Sequence, residues 1–514
     1  MSVAVQAGCQ SSDTTKSKGL IQSRNYQLEA IESLRQKVRE GHKRIILQIP
    51  TGGGKTVCAC MVIQPAVEMG KRVIFLAHAR ELIYQCRNKL ADFGIQAGII
   101  MAGEPYEPWR KVQVASKDTI NARVFRSKSI ELPDADILFA DEAHRSLSPT
   151  WTRVIRHYRN AVVIGLTATP ARGDGRGMGE LYTALVQACP TERLIEEGYL
   201  SSSQVYAPYR PDLSRVRTTA GEYNEGDLDK VMNKQEIIGN IVEHWISKAK
   251  DRPTIVFCTG IEHSIRTRDA FVAHGIRACH VDGETPKEER DDLFKRFIDG
   301  DFMVLTNCDV CSEGVDLPLT SCVVLARPTK SIVKYKQQVG RGMRPSVGKH
   351  DLLVLDHAGS VYAHGFPEED VEWTLDSDIK ISDRIKKAIE NGERKVPTVC
   401  KKCFLAYYKV GQCPNCGYKP PTHARNTVKT KKGDLVRLEK GKSKSNLTKE
   451  DMQRYWTFCL YCCAAKNRTV GNAAGMFKSH FKLLPWTAGV QPMPESGQWA
   501  MKVSDLFPKY NRGK

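Results

Sequence analysis

Between Arg44 and Leu166 the chain repeats one pattern: a short apolar run, then a longer stretch with apolar residues at helical spacing. Arg44–Ile49 (RIILQI), Arg72–Ala77 (RVIFLA), Ile137–Ala140 (ILFA) and Val162–Leu166 (VVIGL) read as strands buried on both faces, with helices such as Thr56–Met69 and Arg80–Phe93 between them. Strands alternating with helices predict a parallel sheet covered on each side. The pattern restarts with Thr254–Cys258, Met303–Thr306, Ser321–Ala326 and Leu352–Asp356, interleaved with helices over Glu262–Ala273 and Lys287–Phe297. Two α/β lobes are expected, at 23–197 and 198–360.

After Ala358-Gly359 the regularity stops. Residues 361–397 read as a connector with one charged helix, Ser382–Asn391, followed by a compact cysteine module at 398–420. A basic linker at 421–449 carries Lys429, Lys431, Lys432, Arg437, Lys440, Lys442 and Lys444. The aromatics Tyr455, Trp456, Phe477, Phe481 and Trp486 suffice for a small helical module at 450–514. Residues 1–22 are polar, lack the apolar centre of a secretory signal, and read as a disordered leader.

Length and charge sharpen the picture. A chain of 514 residues exceeds what one core usually supports. Lys and Arg outnumber Asp and Glu by 77 to 58, leaving +19, which suits a polyanionic partner. No apolar run approaches the ~18–20 residues that span a bilayer. Most of the 17 cysteines are scattered singly through apolar strands, as are Cys258 and Cys322, and read as buried thiols of a cytoplasmic protein.

The first candidate site follows the first strand. Pro50-Thr51-Gly52-Gly53-Gly54-Lys55-Thr56 sits between a strand and a helix, where glycines let backbone N–H groups point at phosphates and the helix start adds its positive end. Lys55 would reach the β- and γ-phosphates of ATP, and the Thr56 hydroxyl would ligate Mg²⁺. Ile49 stands where such loops usually begin with glycine, so the seven residues alone are also compatible with a Gly-rich turn.

Asp141-Glu142-Ala143-His144 directly follows the strand ILFA, where α/β sheets place ligands. Asp141 can hold the Mg²⁺ shell and Glu142 can act as general base on the attacking water. A solvated acidic loop is the bland alternative, weakened by the buried strand before it. Phosphoryl transfer also needs positive charge, and Gln337-Gln338-Val339-Gly340-Arg341-Gly342-Met343-Arg344 offers two arginines on one helix face in the second lobe. Such a site is complete only when the lobes close.

Taken in order, these segments resemble superfamily 2 helicases of the DEAH-box type, most of all the RadD-like and phage-encoded relatives, over about residues 24–360. The resemblance implies two tandem RecA-like lobes and further roles. Arg24-Asn25-Tyr26-Gln27 looks like the adenine-recognition element, with Gln27 on the base edge and Arg24 or Tyr26 stacked on it. Ala77-His78-Ala79-Arg80-Glu81-Leu82 and Val114-Ala115-Ser116 resemble nucleic-acid-contacting motifs, and Thr167-Ala168-Thr169-Pro170 the motif that links hydrolysis to unwinding. Cys311-Ser312-Glu313-Gly314-Val315-Asp316 matches the second-lobe motif in which Gly314 and Asp316 approach nucleotide and strand backbone. Ser312 departs from the Thr of many relatives but keeps the hydroxyl. Gln337, Arg341 and Arg344 match the terminal motif with its arginine fingers.

Cys400-x₂-Cys403 and Cys413-x₂-Cys416 form two knuckles able to close a tetrahedral Zn²⁺ shell, a zinc ribbon of structural type. Its loop residues Tyr407, Tyr408 and Lys409 either touch phosphates and bases or serve the scaffold alone. Cys459, Cys462, Cys463 and His480 suit burial in a helical core better than a second metal site. The expected activity is a nucleic-acid-dependent ATPase, a helicase or translocase acting on DNA in repair, recombination or phage replication, with replication or repair proteins as further partners and no membrane. The setting is the cytoplasm of a bacterial or phage-infected cell, at the nucleoid in one variant. An RNA helicase, or an ATP-gated clamp that separates no strands, are the alternatives.

Overall fold

The computed structural model of the chain describes residues 23–208, 211–219, 221–312, 315–376, 378–408, 411–419, 448–464, 469–481 and 483–490. Gly314, Lys409, the leader and the whole basic run Lys429–Lys444 lie outside the described residues. The chain divides into two compact units, Met1–Thr422 and His423–Lys514.

The first lobe holds strands β1 (Arg44–Gln48), β2 (Val73–Ala77), β3 (Ala97–Ile100), β4 (Val112–Ser116), β5 (Ile137–Asp141), β6 (Val162–Thr167) and β7 (Ala184–Gln187). They form one sheet in the order β3-β4-β2-β5-β6-β1-β7, with every pairing parallel. Helices α1 (Asn25–Arg39), α2 (Lys55–Glu68), α3 (Arg80–Asp92), α4 (Lys117–Ile120), α5 (Pro149–His157) and α6 (Thr191–Glu196) accompany it. The central strands are buried beyond their first residues because helices cover both faces, which is why they read as nearly continuous apolar runs. One apolar layer joins Ile45, Leu47, Phe75 and Phe139 to α1–α3; another joins Ile46, Leu76 and Leu138 to Trp151 and Ile155 of α5.

The second lobe begins with β8 (Ser203–Tyr206), then a small antiparallel hairpin, β9 (Thr218–Thr219) with β10 (Glu222–Tyr223). Strands β11 (Thr254–Phe257), β12 (Ala278–Val281), β13 (Val304–Asn307), β14 (Cys322–Leu325) and β15 (Leu352–Asp356) complete a parallel sheet in the order β12-β13-β11-β14-β15-β8. Its helices are α7 (Glu225–Met232), α8 (Gln235–Lys248), α9 (Ile261–Ala273), α10 (Lys287–Ile298), α11 (Ile332–Gly342) and α12 (Ser360–His364).

The segment expected as a connector is more than a spacer. It carries α13 (Ile381–Glu390), and Val371, Trp373 and Ile381 are buried against Ala171 of the first lobe and Ile332 and Val333 of the second. The cysteine module, with strands β16 (Thr398–Val399) and β17 (Ala406–Tyr407), caps a sheet edge. Tyr206 of the edge strand β8 bridges antiparallel to Leu405, and the Ala207 N–H donates to the Phe404 carbonyl at 3.0 Å. An edge strand leaves a row of unpaired backbone groups, and this module covers part of it.

In the second unit α14 (Lys449–Ala464) and α15 (Val470–Phe481) bury Trp456, Cys459, Leu460, Cys463 and Phe477 together. His480 stacks on Tyr455 with ring centroids 4.4 Å apart, so it is an aromatic packing partner. No helix among the described residues is long and apolar enough to cross a membrane.

Candidate functional site

The loop between β1 and α2 turns sharply at two glycines. Gly52 and Gly54 lie in the left-handed region, at φ +85° and +82°, which a side chain would strain. At Gly52 a Cβ would also come within 2.8 Å of Leu200. The turn puts Lys55 at the start of α2.

The tip is buttressed from α1. The Tyr26 hydroxyl and the Gln27 amide both donate to the Gly53 carbonyl, the latter at 3.3 Å, while the Gln27 carbonyl oxygen accepts from the Arg24 N–H at 3.1 Å. Tyr26 is fully buried and Gln27 is 1 % exposed. Of the two residues expected to stack on a base, Arg24 or Tyr26, Tyr26 is buried with its hydroxyl on the loop, and Gln27 divides its side chain between the loop and the start of α1. The half-exposed aromatic face here belongs to Tyr199, which the sequence reading missed, and the Arg24 guanidinium lies 4.1 Å above its ring centroid.

Asp141 ends β5 and Glu142 follows with φ +48°, a left-handed conformation that re-aims its side chain. Glu142 lies 3.2 Å from Lys55 and 3.4 Å from His144. The His144 ring nitrogen is 3.4 Å from the Thr167 hydroxyl, which in turn accepts from the Thr169 N–H at 3.1 Å. Contacts thus run from Glu142 to the Thr167–Pro170 segment at the lobe seam. Burial pushes the Asp141 carboxyl up to about 6, with the neighbouring Glu142 pushing the same way and Lys55 opposing.

The second lobe faces this edge through α11. Gln337, Arg341 and Arg344, at i, i+4 and i+7, line the same cleft as Thr51, Gly52, Gly54, Lys55, Thr56, Asp141 and Glu142, a cavity of about 340 Å³. Val315 and Asp316 complete its second-lobe wall; Leu82 of α3 lines the first-lobe side together with Gln85, which no motif singled out. Arg341 donates to the Val315 carbonyl at 2.7 Å, and Arg344 is paired with Asp316. The neighbouring face of α11 carries Gly340, where a Cβ would lie 2.6 Å from the Thr51 side chain. The helix passes the phosphate-loop turn with no room for a side chain.

Other motif residues have local duties. Ser116 caps α4 by accepting from the Thr119 N–H at 3.4 Å, and Arg80 donates to the Tyr84 hydroxyl at 2.9 Å. Tyr407 is buried among the cysteines and Tyr408 is bonded to Glu369 and set edge-on to Phe366, so these two rings serve packing and are not presented to bases. Among the described residues, Cys400, Cys403, Cys413 and Cys416 are the group whose ligand atoms converge, all within 4.8 Å of one another.

The two halves of the cleft match known families separately. Residues 20–172 match the family described as type III restriction enzyme, res subunit, and residues 233–346 match the helicase conserved C-terminal domain; together they span a little over half the chain. The chain is a superfamily 2 helicase. Helicases of this kind hydrolyse ATP in response to nucleic acid, and that is the activity of this one. The helicase is similar to a 51.5 kDa protein of a Lactococcus phage, 29% identical over 420 residues that cover 80% of this chain and 87% of the phage protein. It is 31% identical over 354 residues to a putative mitochondrial ATP-dependent helicase of Schizosaccharomyces pombe, covering 66% of this chain and 57% of that protein. Among solved structures, a fragment of a putative HsdR subunit of a type I restriction enzyme from Vibrio vulnificus superposes with a TM-score of 0.54 at 24% identity, over 69% of this chain and 67% of the fragment; that likeness concerns the fold.

Proposed function

We propose that the cleft between the lobes binds and hydrolyses ATP, and that the helicase uses the cycle to translocate on DNA or part its strands. The observation that carries this reading is the composite cleft itself: Lys55, Thr56, Asp141 and Glu142 from one lobe, with Gln337, Arg341 and Arg344 from the other. In this reading the backbone of Thr51–Thr56 and the Lys55 ammonium grip the phosphates. Thr56 and Asp141 would hold Mg²⁺, which supplies positive charge against the β- and γ-oxygens. Glu142 takes the proton of the attacking water, Gln337 orients that water, and the two guanidiniums stabilise charge as the γ-phosphoryl departs. Asp316 holds Arg344, and Arg24 with Tyr199 offers the base a stacking surface. Because the two sides belong to different lobes, turnover requires their approach, which couples hydrolysis to movement.

The preference for DNA is supported by relatives whose names carry it, such as a DNA 3'-5' translocase of Sulfurisphaera tokodaii, 25% identical over 66% of this chain and 82% of its own length. A net charge of +19 supports contacts made mainly to phosphates. Asp141-Glu142-Ala143-His144 supports the DEAH-box assignment, and the phage relative supports a place among phage-encoded helicases; we propose with it a RadD-like kinship and a role in repair, recombination or phage replication inside a bacterial or infected cell.

We also propose structural Zn²⁺ on Cys400, Cys403, Cys413 and Cys416. With Zn–S bonds of about 2.3 Å, tetrahedral geometry requires sulfur atoms about 3.8 Å apart. The Cys400–Cys416 and Cys403–Cys413 separations are 3.5 and 3.7 Å.

The test is steady-state ATP hydrolysis with single-stranded DNA, duplex DNA and RNA at two salt concentrations, beside displacement of a labelled strand. Stimulation by DNA that weakens with salt is expected. Stronger stimulation by RNA would make this an RNA remodeller, and hydrolysis with neither displacement nor movement would make it a clamp.

A further inference from the structure

The stretch Phe366–Asp376, leaving the second lobe, is tied to both lobes as a strap. On the first lobe, the Asp370 carboxylate accepts from the Thr191 N–H and hydroxyl, each at 2.9 Å. The Leu375 and Asp376 carbonyls accept from the N–H groups of Gly179 and Gly177, each at 2.8 Å. On the second lobe, Glu368 accepts from the Ser203 N–H at 2.6 Å. Lys336 of α11 donates to the Pro367 carbonyl at 2.8 Å and also to the Glu369 carbonyl.

Lys336 stands at a revealing place on that helix. Residues 337, 341 and 344 form the face toward the nucleotide cleft, whereas 336, 340 and 343, also at i, i+4 and i+7, line the seam with Thr51, Thr169 and the strap. One ammonium therefore joins the helix that bears Arg341 and leads into Arg344 to a strap whose far end is fastened to the first lobe. A rotation of α11 that carried the arginines away from the cleft would break both Lys336 bonds and leave two carbonyls at the seam without that donor.

We propose that Lys336 is a positioning residue for hydrolysis: with the strap it sets the rotation and depth at which α11 presents Arg341 and Arg344 to the triphosphate. The inference rests on the reading of the cleft given above. It adds that the segment after the second lobe is part of the hydrolytic machine, acting through the back of the arginine helix.

The test uses the full chain. Lys336→Met keeps length and apolar bulk but removes the donors. Turnover should fall about tenfold to a hundredfold, since small misplacements of catalytic groups cost that much. Affinity for a fluorescent ADP analogue should stay within about twofold, because the loop at Gly52–Thr56 grips the phosphates without the arginines. In an Arg341→Ala background the same change should add less than about twofold, as expected of groups acting in one unit. Gly179→Ala approaches the strap from the other end, where a Cβ would stand 2.6 Å from the Leu375 carbonyl oxygen, and should give the same loss of turnover with ADP binding kept. It also carries the test if the lysine variant fails to fold. Losses that multiply in the double variant, ADP binding that weakens in step with turnover, or unchanged turnover in both single variants would overturn the proposal. Unchanged turnover in Arg341→Ala alone would instead overturn the arginine assignment, and the positioning role with it.

Discussion

Gly340 offers a direct measure of how closely the lobes must approach. A methyl group there would lie 2.6 Å from the Thr51 Cβ and 2.7 Å from its Cγ2. Carbon atoms settle at about 3.5–4.0 Å, so Gly340→Ala requires the helix and the phosphate-loop turn to separate by about 1 Å. The substitution does not weaken α11 itself, since alanine favours a helix interior over glycine by about 1 kcal/mol. The cost falls on the distance between the arginines and the triphosphate, where a displacement of about 1 Å is worth about 10²-fold in rate. The assay pairs steady-state ATP hydrolysis at saturating single-stranded DNA with titration of a fluorescent ADP analogue. Turnover should drop about 10²-fold while ADP affinity changes by less than about threefold. Gly239→Ala is the control: Gly239 lies in α8 with nothing within 4 Å of its would-be Cβ, and turnover should not change. Turnover of Gly340→Ala within about threefold of the unaltered chain would refute the argument that this contact sets the reach of the arginines.

Lys55→Ala removes the phosphate clamp and the partner of Glu142, and should abolish hydrolysis; near-normal turnover would overturn the nucleotide assignment. Asp141→Asn should kill turnover yet stabilise the ligand-free protein. The folded carboxyl holds its proton up to about 6 against an ordinary 3.8, so ionising it costs stability increasingly from pH 3.8 to about 6 and fully above that. The gain in melting temperature of Asp141→Asn should be present at pH 7.5 and gone near pH 4, and a pH-independent gain would contradict this origin. The purified chain should contain one zinc, and chelation or Cys413→Ser should loosen the module that caps β8 and lower the melting temperature, with ADP binding retained; protein free of zinc would defeat the metal assignment.

Local pattern by itself determined the central strands of the two sheets, whereas β3, β4, β7, β8 and β12 were not among the runs it singled out. Runs such as Val73–Ala77 and Leu352–Leu355 are apolar at every position because parallel strands under helices meet no water on either face, and that demand is written residue by residue. The glycine turn before Lys55 and the carboxylates after a strand were likewise legible, since they depend on neighbours in sequence; of the two arginines expected on one helix face, Arg341 lies in α11 and Arg344 just beyond its end. What only the tertiary structure decided lies between distant residues. Tyr26 and Gln27 turned out to brace Gly53, while Arg24 with Tyr199 forms the half-exposed surface nearby, because burial, which no motif encodes, chooses which polar atom faces which partner. The cysteine module became the cover of a sheet edge through Tyr206 and Leu405, about two hundred residues apart. The strap depends on pairings such as Asp370 with Thr191, 179 positions away, and Lys336 with two backbone carbonyls. Backbone carbonyls carry no residue identity, and contacts of such long range leave no periodicity behind them, so their partners become visible only once the chain has folded.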